Sequence, residues 1–79
     1  MEHTIASLHL QHTTVFLDYG QEGEKFWVAY KDKKGCTAAR TFDTAAKAIE
    51  VYLKLAGWIL LGSYSDSDRR NFLMTGTMK

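Results

Sequence analysis

The sequence contains no proline and only one cysteine, Cys36. A single cysteine excludes an intrachain disulfide and suits a reducing compartment such as the cytoplasm. Without proline, glycine is the residue that marks the breaks between structural elements. We therefore expect a cytoplasmic protein whose fold depends on packing rather than on covalent cross-links.

Long apolar runs and a strong net charge are also lacking. No run approaches the roughly 18–20 apolar residues that span a bilayer, and the N-terminal MEHTIASLHL has no basic segment of the kind that opens a secretory signal. The formal net charge of +1 gives no overall field that would attract nucleic acid or an anionic membrane. We therefore expect no membrane partner. With 79 residues, the chain has room for one domain, residues 1–79.

Residues 43–57 show the clearest pattern in the chain and predict its only helix. Asp43 or Thr44 supplies an N-cap oxygen, and Gly57 stands where a left-handed residue ends a helix. The residues that recur at helical spacing and form the centre of the apolar face are Ala45, Ile49, Tyr52 and Ala56.

The polar side of this helix is narrow, and Val51 and Leu55 lie beside it. Monomers tolerate an exposed apolar strip only when it is small. Either the last strand and the tail cover these two side chains, or a second copy does. A two-fold dimer is the commonest way to bury such a strip, so we predict a homodimer with Val51 and Leu55 in its interface.

The residues before the helix predict strands. Residues 4–19 alternate apolar and polar side chains, but the parity changes near residues 12–14, so they form either one bulged strand or two. A loop follows at residues 20–23. Residues 25–31 and 36–42 then form a hairpin across Asp32-Lys33-Lys34-Gly35, a sequence typical of a type I turn closed by glycine.

After the helix, the apolar run 58–61 predicts a central strand covered on both faces. Residues 63–68 predict a polar loop, and residues 69–74 an edge strand. The expected fold class is therefore α+β, with a mostly antiparallel sheet of four to five strands packed on one α-helix.

All three histidines, His3, His9 and His12, lie near the N-terminus, and imidazole is a common metal ligand. The parity of His12 differs from that of the other two, and no cysteine or paired carboxylate lies nearby in sequence. We therefore expect histidines that face solvent and no metal site.

Two further patterns resemble functional sites but have simpler interpretations. Ser65-Asp66-Ser67-Asp68 resembles an acidic cation loop, yet it lacks the six or so oxygens and the glycine that calcium requires. Lys33 and Lys34 precede Cys36, but no histidine is near this thiol in sequence to activate it. The sequence thus predicts no enzyme, no metal and no cofactor.

The hairpin is locally basic, whereas Asp18, Glu22 and Glu24 make the preceding loop acidic. Trp27 alternates out of phase with Phe26 and Val28, so it lies either on the sheet face away from the helix or beneath a second element, such as the first strand. Tryptophan and arginine are frequent anchors of recognition surfaces. The residues that we predict to bind a partner are Trp27, Lys31, Lys33, Lys34, Arg40, Arg69 and Arg70.

The stretch KFWVAYKDKKGCTAARTFDTAAKAIEVYLK resembles the arm-type DNA-binding domain of tyrosine integrases over residues 25–56. In that family an aromatic strand, a turn with lysine and glycine, and a basic strand precede a polar cap and a helix. The resemblance implies a small nucleic-acid-binding domain that uses the basic hairpin 31–40. Ala38 and Ala39 stand where that family has more basic or polar residues.

Residues 15–64 also resemble small bacteriophage anti-CRISPR proteins that inhibit type I surveillance complexes. The resemblance comprises a strand hairpin, the phrase AARTFDT leading into an alanine-rich helix, and the phrase WILLGS after it. It implies a non-enzymatic inhibitor that binds a host CRISPR–Cas ribonucleoprotein in the host cytoplasm and blocks it sterically. This is our first hypothesis, and nucleic-acid binding is the alternative.

Overall fold

The computed structural model describes residues 2–20 and 25–76. The elements in chain order are β1 (Glu2–Leu10), β2 (Thr13–Gly20), β3 (Lys25–Lys31), β4 (Thr37–Phe42), α1 (Ala45–Leu61) and α2 (Asp66–Thr75). The strands form one antiparallel sheet in the order β1-β2-β3-β4. The α+β class is confirmed. The described residues form a sheet of four strands, within the expected four to five, and it is covered by two helices rather than one.

Residues 4–19 form two strands, β1 and β2, and not one. The chain reverses at Gln11 and His12, whose φ angles of 51° and 68° lie in the left-handed region. The reversal explains the change of parity, because it pairs Ala6 with Leu17 and Leu8 with Val15. Both apolar sets therefore face the same side of the sheet. The predicted loop at residues 20–23 falls, beyond Gly20, outside the described residues.

The predicted hairpin between β3 and β4 is confirmed. The Gly35 amide donates to the Asp32 carbonyl at 3.0 Å, and Gly35 has a φ of 87°. The Asp32 carboxylate accepts the amides of Lys34 and Cys36, each at 2.9 Å. Aspartate bonded to the backbone two residues on is a common device for fixing a turn.

Helix α1 begins as predicted but runs one turn further. The Thr44 hydroxyl accepts the Lys47 amide at 3.3 Å, and the helix continues through Gly57 to Leu61. The predicted strand 58–61 is therefore wrong. A short apolar run cannot be assigned by periodicity alone, and here Ile59 continues the buried side of the helix four residues after Leu55.

The predicted strand 69–74 is also wrong, because these residues belong to helix α2. The Ser65 hydroxyl accepts the Asp68 amide at 3.1 Å and caps the helix. Arg69, Phe72 and Leu73 are buried, and their spacing of three and four residues is that of one helical face.

The core lies between the helices and one face of the sheet. Its buried apolar residues are Val15, Leu17, Val28, Tyr30, Phe42, Ala48, Val51, Tyr52, Leu55, Ile59, Phe72 and Leu73. The predicted centre of the helical face is partly wrong, since Ile49 is 42% exposed. Within residues 2–20 and 25–76, neither helix has the length and apolarity that crossing a membrane requires.

Val51 and Leu55 are buried within the chain, 4% and 0% exposed, so they do not form the exposed strip expected of a dimer interface. Val51 and Leu55 lie on the same side of α1 as the buried Ile59, and this side of the helix packs against the sheet. The large apolar side chains that α1 leaves exposed are Ile49, Leu53, Leu60 and Leu61.

Candidate functional site

One face of the sheet is open, and its residues follow from the strand register. Val28 and Tyr30 of β3 point into the core, so Trp27, Ala29 and Lys31 point to the other side. Neither described helix packs on this side, because the core residues of both helices cluster with the strand residues that point the other way, such as Val28 and Tyr30. We call this side the open face.

The middle of the open face is apolar. In one row across the strands Phe16 pairs with Ala29, and Ala29 pairs with Ala39. In the next row Trp27 lies between Asp18 and Thr41. Trp27 is only partly buried and lies outside the core cluster. The first strand does not cover it, since β1 pairs with β2 within the same sheet.

Asp18 is the unusual residue of the open face. Its Oδ1 atom is buried, yet it has no hydrogen-bond partner among the described residues. Buried polar atoms are almost always bonded, so such an exception points to a missing donor. Asp18 lies in β2 and not in the acidic loop where the sequence placed it, while Glu22 and Glu24 lie outside the described residues.

The basic residues of the hairpin are divided between the two faces. Lys31 ends β3 on the open face, opposite Thr14 and Thr37, and Lys33 and Lys34 are exposed in the turn. Arg40 pairs with Val28 and therefore points to the helices. Its guanidinium lies 5.2 Å from the centre of the Phe42 ring and donates to the Leu73 carbonyl at 3.5 Å. Arg40 is thus not part of the predicted basic cluster.

Arg69 acts inside the fold rather than on its surface, because it is 8% exposed. It donates to the carbonyls of Ser63 and Trp58 at 2.9 and 3.2 Å, which fixes the end of α1. It also donates to the hydroxyl of Tyr30 at 3.0 Å. Burial, followed by the hydrogen bond to Asp66, raises the pKa of the Tyr30 phenol to about 12.

Arg70 likewise has a partner within the chain, the Asp32 carboxylate, with which it forms an ion pair. The side chain of Arg70 is 24% exposed, so part of it is accessible. Of the seven residues predicted to bind a partner, Arg40, Arg69 and Arg70 are occupied in tertiary contacts. Trp27 and the three hairpin lysines remain on the surface.

The histidines and the thiol do not come together. Nδ1 of His9 lies 2.5 Å from the Thr14 hydroxyl, His12 is in the β1–β2 turn, and the side chain of His3 lies outside the described part. Cys36 is exposed. Among the described residues, no group of three or more His, Cys, Asp or Glu side chains is placed to hold a metal ion.

Sequence reasoning missed Phe16 and Asp18 as members of the site. The alternation along β2 could have found them, since Phe16 and Asp18 alternate with the buried Val15 and Leu17 and so point to the other side of the sheet. Comparison of the chain with profiles of known protein families, with curated proteins and with solved structures found no match.

Proposed function

We infer that this chain is a non-enzymatic interaction protein that binds a partner protein through the open face. The observation that carries this inference is the position of Trp27 beside the unpaired carboxylate oxygen of Asp18. A tryptophan on a surface is a frequent anchor of binding energy. Asp18 as a whole is only partly buried, so a partner protein can donate to the exposed part of its carboxylate beside the Trp27 ring.

The chemistry of the face specifies the kind of group that it receives. An arginine guanidinium donates hydrogen bonds to carboxylates and stacks on aromatic rings, whereas a lysine ammonium acts as a point charge. Asp18, Trp27 and Phe16 offer a carboxylate and two aromatic rings within two adjacent rows of the sheet. The partner therefore presents a basic side chain, preferably arginine, on an otherwise apolar patch.

The partner that we propose is a protein subunit of a type I CRISPR–Cas surveillance complex. This assignment comes from the resemblance of residues 15–64 to small anti-CRISPR proteins. The open face is compatible with such a role because strands hydrogen-bonded on both sides hold Trp27 and Asp18 rigidly, and rigid elements present binding groups accurately. Inhibition would follow from masking the surface that the chain occupies.

The test is to measure the affinity of the chain for a purified type I surveillance complex. Trp27→Ala should weaken binding by at least about tenfold, since truncating an anchor tryptophan commonly costs more than 1.4 kcal/mol. Asp18→Asn should weaken it as well. Met74→Ala, at an exposed position of α2 on the helical side of the molecule, is the matched control and should leave the affinity unchanged.

Two results would refute this function in different ways. Binding that survives Trp27→Ala but is lost with Met74→Ala would move the interface to the helices. A chain that does not bind the complex would refute the proposed partner. In that case, capture from a bacterial lysate, with and without nuclease, followed by mass spectrometry would identify the molecules that bind in its place.

Nucleic-acid binding is the second candidate, and the hairpin lysines favour it. The ammonium groups of Lys31, Lys33 and Lys34 have no ion pair within the described part of the chain, so they are available for phosphate. Each phosphate contact releases counterions, and affinity then falls steeply with salt. If the partner is a protein bound to the open face, its affinity should change little between about 50 and 200 mM salt.

A further inference from the structure

A cleft of about 330 Å³ lies at the end of the molecule where three connections meet. Its walls come from the β1–β2 turn, the β3–β4 turn and the segment from the end of α1 into α2. The residues that line it are Leu10, Gln11, Thr13, Lys33, Ile59, Gly62, Tyr64, Ser65, Asp66 and Arg69. None of them belongs to the open face as described, and only Lys33 is one of the hairpin lysines, so the cleft is a separate feature.

The size of the cleft suits a small molecule. Ligand sites in proteins begin at about 300 Å³. At roughly 30 Å³ for each water-sized group, the cleft holds about ten non-hydrogen atoms.

One polar group in the cleft is not satisfied by the protein. Thr13 is 6% exposed, and its hydroxyl has no hydrogen-bond partner among the described residues. Among the described residues the fully buried oxygen without a partner belongs to Asp18, so the Thr13 hydroxyl is accessible from the cleft. Because Thr13 lines the cleft, a ligand there is placed to supply the missing partner.

The charges that line the cleft favour an anion. The single acidic residue among its lining residues, Asp66, is already bonded through Oδ1 to the Tyr30 hydroxyl at 2.5 Å and to Arg69 at 3.4 Å. Arg69 therefore neutralises Asp66. Lys33 is left as a cation without an ion pair in the described part of the chain.

The backbone around the cleft is strained, which is consistent with a binding role. The non-glycine residues with positive φ in the described part of the chain are Gln11, His12 and Tyr64. Gln11 and Tyr64 line the cleft. The positive φ of Gln11 is the ordinary geometry of the two-residue β1–β2 turn, whereas Tyr64, between the two helices, adopts a left-handed conformation that costs free energy. Leu10 and Ile59 add an apolar wall to the polar one.

We propose that this cleft binds a small organic anion. Lys33 and Thr13 contact its carboxylate or phosphate, and Leu10 and Ile59 contact its apolar body. This proposal does not depend on the open face or on its partner. Carboxylate and phosphate ligands of this class both carry one anionic group on a short apolar body.

The experiment is a titration of the full chain, labelled with ¹⁵N, with benzoate and with phenyl phosphate. Chemical shifts at Thr13, Lys33 and Tyr64 should move and saturate with a Kd on the order of 1 mM for fragments of this size. The neutral benzamide, which has the shape of benzoate, should bind at least about tenfold more weakly. The stronger of the two anions identifies the head group as carboxylate or phosphate.

Two neighbouring lysines provide a matched control, since both are exposed and only Lys33 lines the cleft. Lys33→Gln should raise the Kd at least about fivefold, and Lys34→Gln should change it less than about twofold. The proposal is wrong if benzamide binds as well as benzoate, if both lysine variants weaken binding equally, or if no shift saturates. Shifts confined to residues of the open face would also overturn it.

Discussion

Arg70 of α2 forms an ion pair with Asp32, the first residue of the turn between β3 and β4. Asp32 is 4% exposed, and its carboxylate also accepts the Cys36 and Lys34 amides. One aspartate therefore fixes the turn and fastens the last helix to it. Burial alone would raise the pKa of Asp32, but the two amides and the Arg70 charge outweigh burial and hold this pKa below its ordinary value.

This relationship predicts how stability depends on pH. Because the pKa of Asp32 is lower in the folded state, its stabilising effect is complete above the unfolded pKa of about 3.9. The effect is lost as pH falls through the lower folded pKa. Asp32→Asn should unfold at less urea than the unmodified chain at pH 7, and this difference should shrink as the pH is lowered below about 4. A difference that is as large at pH 3 as at pH 7 would show that the charge of Asp32 does not matter.

The position of the core predicts that two truncations on helix α1 reduce the unfolding free energy by unequal amounts. Leu55 is fully buried, so Leu55→Ala should cost about 2–5 kcal/mol of unfolding free energy. Ile49 is 42% exposed, so Ile49→Ala should cost less than about 1 kcal/mol. Urea unfolding of the two variants side by side measures both values. Equal losses would mean that the helix is rotated from the orientation described.

The parts of the fold that the sequence predicted are those with a local cause. The turn at Asp32 and Gly35 has its own hydrogen bonds, and Thr44 caps α1 through a side chain three residues from its partner. Such signals need no knowledge of the rest of the chain. The start of α1 and the β3–β4 hairpin were therefore predicted correctly.

The parts that were predicted wrongly depend on distant contacts. Arg69 has the helix-end carbonyls of Trp58 and Ser63 as partners and lies against Tyr30 of the sheet. Residues 69–74 contain three apolar side chains, too few for periodicity to separate a helix from a strand. The local signal for α2 is the Ser65 cap, which precedes these residues. The open face was found only in part, since the environment of Trp27 depends on which face the helices cover.

A homodimer remains our prediction, but through other residues than Val51 and Leu55. Leu53 and Leu60 lie two helical turns apart on the exposed side of α1 and are 60% and 61% exposed. Sedimentation at tens of micromolar should show a species of twice the 9.0 kDa chain mass. Leu53→Glu with Leu60→Lys should yield a folded monomer.

The buried residues supply the control for the dimer. Val51→Lys places a charge in the core, so it should unfold the chain rather than release a monomer. If the unmodified chain sediments as a single 9.0 kDa species, the exposed strip of α1 does not pair with a second copy.

Two glycines at the end of α1 test where the helix stops. Gly57 lies inside α1, and a methyl group added there meets no atom within 4 Å. Gly57→Ala should therefore stabilise the chain by about 0.5–1 kcal/mol, because alanine is the better helix former.

Gly62 follows the last helical residue with a φ of 70°, and its amide donates to the Ile59 carbonyl at 3.3 Å. An alanine there also has space, but the left-handed backbone costs it about 1–2 kcal/mol. Thermal or urea unfolding of the pair should thus give shifts of opposite sign. Had the helix ended at Gly57, as its sequence position suggested, Gly57→Ala would instead destabilise the chain.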